Sequence, residues 1–129
     1  MMSATESGSI TAFVLGLLSV FIACMALVVD GGNVVSNYLA HADIAENAAR
    51  FGSQEVTSLR SGDPLLHRDR ASRAAHSYLE RHGVSGTVSV EDNVLTVHVY
   101  GDVQFVLLKL IGLSSTTVTV KRSAEPVVQ

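Results

Sequence analysis

The sequence predicts an α+β protein: a long N-terminal transmembrane helix followed by a small α-β-β-α-β domain. Three observations predict it. Residues 10–29, ITAFVLGLLSVFIACMALVV, hold no charge and no proline. Small and apolar residues then recur at helical spacing past residue 30. After residue 86 the pattern switches to strand-like alternation.

The apolar run comes first in the chain's organisation. Twenty helical residues at ~1.5 Å each reach ~30 Å, the thickness of a bilayer's hydrocarbon core. A helix pairs its own backbone groups, so it can sit in lipid. Residues 1–9 are expected to be a cytoplasmic tail or short leader, although they hold no Lys or Arg. Phe21-Ile22-Ala23-Cys24 places Ala before Cys, as lipoprotein signals do. Phe21 is bulky for such a signal and the chain stays apolar after Cys24, which favours a plain membrane-buried thiol.

Asp30-Gly31-Gly32 follows, where Asp30 could cap and the glycines could bend the chain. One helix is expected from 10 to about 58, with residues 30–60 as its extracytoplasmic continuation. Val34, Val35, Tyr38, Leu39 and a run of alanines are its expected inner face, with Asn37, His41 and Glu46 on other faces. Ala42, Ala45, Ala49 and Gly52 form a seam of small residues that would let a second helix approach closely. That second helix could belong to another chain or to the same domain.

Residues 61–129 are expected to be the outer domain. Asp63 suits an N-cap and Pro64 the first position of a helix over 64–82, ended by Gly83. Leu66, Ala71, Ala74, Ala75, Tyr78 and Leu79 would face inward, and Arg68, Arg70, Arg73 and Arg81 outward. Strands over 87–91 and 94–100 flank Asp92-Asn93, a hairpin turn candidate. Val88, Val90, Leu95, Val97 and Val99 would point to the core. Gly101-Asp102 is expected to open a short apolar helix over 103–111 that covers one sheet face. A strand over 116–122 with Val118 and Val120 inward would complete the sheet, and residues 123–129 would be loose.

Composition narrows the function. The chain has 129 residues and a formal charge of −3, so it has no basic field to hold nucleic acid. The single Cys24 allows no intramolecular disulfide. The five histidines, His41, His67, His76, His82 and His98, include no i, i+4 pair and no HExxH motif. There is no GxSxG elbow and no glycine-rich phosphate loop between a strand and a helix. No cofactor, metal, small-molecule substrate or catalysis is expected. The first basic residue after the span is Arg50, so the charge pattern does not orient the chain.

The first fifty residues resemble the N-terminal segment of TadE/TadG-like proteins, the pilin-like components of tight-adherence (Flp) pilus systems. The resemblance rests on Gly8-Ser9 before the apolar run, the run itself, Asp30-Gly31 after it, and Ala42-Asp43-Ile44-Ala45-Glu46-Asn47-Ala48-Ala49-Arg50. It implies a pilin-like fold and a single-pass protein of the cytoplasmic membrane with its C-terminal domain outside. It implies membrane lipid, other pilin-like subunits and Tad-type assembly proteins as partners, incorporation into a surface filament as one fate, and no catalysis. It also marks Gly8-Ser9 as the candidate leader-peptidase junction. Prepilins are cut after a glycine and carry Glu at the fifth mature position, where it neutralises a neighbour's amino group. A cut after Gly8 would put Phe13 there, which cannot do this. The second reading is an uncleaved single-pass envelope protein that binds an extracytoplasmic partner unrelated to pili.

Overall fold

The computed structural model describes residues 4–55 and 67–126, with side chains from Gly8 onward. Helix α1, Ala4–Ser53, is 50 residues long, about 75 Å at the usual rise. Helix α2 is Arg68–Arg81. Strands β1 (Ser85–Glu91), β2 (Val94–Gln104) and β3 (Ser115–Ala124) form an antiparallel sheet in the order β1-β2-β3. The result is an α+β, pilin-like architecture: a long apolar helix whose second half packs on a small sheet domain.

α1 leads two lives. From residue 8 to residue 29 every side chain except Ala26 is exposed. Past Asp30 the helix becomes part of the domain. Ala42, Ala45, Ala48 and Ala49 join Ala71, Ala75 and Leu79 of α2 and Leu95, Val97, Val99 and Val120 of the sheet in one core. Such a contiguous apolar cluster is the main favourable contribution to a small fold. Both helices lie on the same sheet face, α1 over β2 and β3 and α2 over β1. The opposite sheet face is polar, with Thr87 bonded to Tyr100 at 2.8 Å and Thr96 to Ser123 at 2.9 Å.

The small-residue seam is internal. Ala45 and Ala49 are 0% and 1% exposed. A Cβ on Gly52 would stand 2.8 Å from both the Ala71 carbonyl and Leu95 Cδ2. The bare glycine therefore lets α1 and α2 close on each other. The alternative in which this seam meets another chain is corrected: its space is filled by the protein's own α2 and sheet.

Several boundaries differ from the expectations. α1 runs unbroken through Gly31 and Gly32, and neither a close neighbour nor a positive φ requires glycine at either. It ends at Ser53, short of 58, where Ser53 Oγ donates to Arg50 O at 2.8 Å and Glu55 N turns back to Gly52 O at 3.1 Å. α2 begins at Arg68 behind an N-cap at His67, whose Nδ1 accepts from Arg70 N at 3.5 Å. The expected Asp63-Pro64 cap and Leu66 lie outside the described residues. Its C-terminus ends as expected at Gly83, φ +65°. Gly83 N bonds Glu80 O at 3.0 Å and Val84 N bonds Leu79 O at 3.1 Å, a Schellman closure. The four arginines of the α2 region are exposed, and Arg81 lies 5.5 Å above the Phe51 ring centre.

The hairpin forms at Asp92-Asn93, with φ of 46° and 68°. These left-handed values at both positions suit a two-residue turn between twisted strands. The register pairs Glu91 with Val94 and Val88 with Val97. Leu95, Val97 and Val99 are fully buried, while Val88 and Val90 are half-buried.

The expected helix over 103–111 is corrected. β2 continues through Gly101 to Gln104, pairing Val103 with Thr116 and Gln104 with Ser115 of β3. Only Leu108–Ile111 is helical, as a 3-10 turn closed by Gly112 at φ 91°. It covers neither sheet face; that role falls to α1 and α2. β3 also runs on to Ala124, past the expected 122.

Candidate functional site

Among the described residues, a built polar feature lies where the apolar half of α1 meets the domain. Asp30 is the first residue past the apolar run and is fully buried. One oxygen accepts from Val106 N at 2.7 Å. The other accepts from Leu107 N at 2.9 Å and Leu108 N at 2.6 Å. One carboxylate thus holds three successive amides that the strand and the 3-10 turn leave without a partner. Burial alone would raise the Asp30 pKa. The Leu108, Val106 and Leu107 amides outweigh that and hold the carboxyl below its ordinary value.

Asp30 heads a polar column on the inner face of α1, since steps of three or four residues return to one face. Asn33 donates to Gln104 O at 3.4 Å. Asn37 donates to Asn33 O at 2.8 Å and Asn33 Oδ1 at 3.0 Å. The His41 ring meets Asn37 O through Nδ1 at 2.6 Å. A carbonyl only accepts, so Nδ1 carries the proton. The ring sits where a side chain at position 101 would point, and a Cβ there would collide with it. Gly101 is thus a docking notch in β2 for His41.

This corrects the face assignment at Val35, Asn37, Tyr38, Leu39 and His41, while Val34 is half-buried in line with the expected inner face. Asn37 and His41 are half-buried toward the domain, whereas Val35, Tyr38 and Leu39 are exposed. Propensity and apolar spacing could not show it, because the carboxylate's partners are backbone amides more than seventy residues away. The one available signal was a charge placed directly after an uncharged run.

Asp30→Ala is expected to release the loop over residues 105–114. Amide exchange at 106–108 should speed up by roughly 10- to 100-fold, the range for lost hydrogen bonds to a charged group. Unchanged protection there would remove Asp30 from this role. Its folded pKa lies below the unfolded value, so the contribution is complete above ~3.9 and is lost as the pH falls through the folded value.

Beside the column, a cleft of about 330 Å³ is lined by His41, Gly83, Val84, Ser85, Tyr100, Gly101 and Asp102. His41 points its ring into the Gly101 notch and Asp102 accepts from Thr117 Oγ1 at 2.6 Å. Among the described residues no three His, Cys, Asp or Glu side chains converge as metal ligands would. Gly8 and Ser9, the candidate cleavage junction, lie exposed within α1. Ala42, Ala45, Ala49 and Gly52 lie in the core, away from any open surface.

α1 is long and apolar enough to cross a membrane. Ser19, polar within the run, donates to Leu15 O at 2.8 Å, so its hydroxyl needs no water. Comparison of the chain with family models, with curated proteins and with solved structures gives no match.

Proposed function

We propose that the chain is a membrane-anchored, minor pilin-like component of a Tad-type pilus or secretion apparatus, which acts by assembly and not by catalysis. One observation carries the reading. A single unbroken helix is bare and apolar over residues 10–29, Ala26 apart, and is built into a folded domain from Asp30 onward. That division suits a subunit stored in the cytoplasmic membrane, with its domain outside and its helix available to neighbours. The Asp30-Gly31 step and the alanine-rich segment support the TadE/TadG-like assignment. With the small-residue seam filled, Val35, Tyr38 and Leu39 form the exposed face that neighbouring pilin-like subunits would meet.

A second reading is an uncleaved envelope protein that binds an outer partner. Phe13, in place of the Glu of a mature pilin, favours it.

The test is made in the cell. The full chain should stay with membranes through a carbonate wash and leave them in detergent. Protease added to spheroplasts should digest the domain. Cells lacking the chain should make few or no tight-adherence pili. Recovery in the soluble fraction would overturn the anchor, and wild-type pilus numbers would leave the second reading.

A further inference from the structure

We infer that the loop over residues 105–114 is a second membrane contact, an apolar wedge inserted into the bilayer surface beside α1. The inference rests on the membrane reading of α1. The loop reads FVLLKLIGLS and carries one charge, Lys109. Val106, Leu110, Ile111 and Leu113 are 63%, 81%, 73% and 52% exposed. Four large apolar side chains together on a loop of a small domain are a patch that needs a cover.

The structure fixes where this patch lies. Three bonds from Asp30 clamp the loop against the residue that ends the apolar run. The 3-10 turn packs on α1. Ala26, one turn before Asp30 on the same face, is the buried residue within the run, at 7% exposure. The covered surface of α1 therefore begins about 6 Å inside the apolar segment. Any bilayer that accepts residues 10–29 must meet the loop beside Asp30, where the run ends. The patch is thus continuous with a surface already destined for lipid.

The chemistry of the tip fits a bilayer boundary. Aliphatic side chains enter the acyl region, and a lysine stem of four carbons can lie along them while its ammonium reaches phosphate. The clamp also fits. The amides at 106–108 would lose water on insertion, and Asp30 already satisfies them. The other end of the domain is far from this surface, since β2 carries the Asp92-Asn93 turn roughly 30 Å away.

The experiment uses the full chain in vesicles of phosphatidylcholine and phosphatidylglycerol. Single cysteines replace Leu110, Leu17 or Ser89 in a Cys24→Ser background and carry an environment-sensitive fluorophore. Lipids with a quencher at the upper acyl chain are then added to the mixture. The label at 110 should emit to the blue and lose intensity with quencher, the label at 17 should also be quenched, and the label at 89 should not respond. Quenching at 17 without quenching at 110 overturns the wedge and leaves the anchor standing. No quenching at 17 overturns the anchor, and the wedge with it. A blue-shifted label at 110 that ignores the quencher and reverts on dilution of the protein among lipid overturns the wedge in favour of contact between two copies.

Discussion

Val97→Asp is expected to unfold the sheet domain while the apolar half of α1 stays helical. Val97 is 0% exposed and stands in the middle strand, opposite Val88 on one side and Arg122 on the other. Its side chain points to the helix layer, within a core of Leu95, Val99, Val120 and the α1 alanines. A carboxylate there would have no counter-charge and no water. Burying it, or protonating it to avoid that, costs several kcal/mol, against about 5–15 kcal/mol for the whole stability of a typical domain. The readout is amide exchange along β2 in the full chain in detergent, together with the near-ultraviolet signal of Tyr38, Tyr78 and Tyr100. Thr119→Asp, on the exposed face of β3, should change stability by no more than ~0.5 kcal/mol. Unfolding by Thr119→Asp with unchanged melting of Val97→Asp would mean that the sheet faces are reversed, and equal behaviour of the two would mean that Val97 is not in the core.

The sheet was legible because its signals are local. Alternation at Leu95, Val97 and Val99 names the buried face, and Asp92-Asn93 supplies two residues that tolerate left-handed backbone. The apolar run was legible from length alone. The misread segment, 101–111, shows where local signals fail. Gly101 looked like a breaker, but it is a strand residue kept bare for the His41 ring. The run that follows is apolar at consecutive positions, which fits a short helix or a strand equally well. What decides is pairing with β3 and capture of three amides by Asp30. Both are contacts between distant parts of the chain, and neither leaves a periodic trace. The candidate site follows the same division. A helix apolar enough to cross a membrane could be read from composition, whereas its polar joint to the domain required the fold.

Ala45→Leu is expected to destabilise the isolated full-length chain itself, before any partner is involved. Ala45 is 0% exposed, at the centre of the small-residue face of α1. The neighbouring contacts show how little slack exists: one added carbon at Gly52, two turns further on, would already stand 2.8 Å from a backbone oxygen of α2. Three extra carbons at Ala45 must push α1 away from the sheet or force side chains off their preferred rotamers, which costs ~1–3 kcal/mol. For a domain of this size that lowers the melting temperature by roughly 4–8 °C per kcal/mol. Val35→Ala, on the exposed face, should leave melting nearly unchanged, because it opens no cavity. Thermal unfolding followed by circular dichroism separates the two positions. If Ala45→Leu melted with the wild type and lost only its binding to other subunits, the seam would be an intermolecular surface and the packing of α1 on α2 would be wrong. If it melts early, the seam belongs to the domain, and Val35, Tyr38 and Leu39 are what α1 leaves exposed on this stretch.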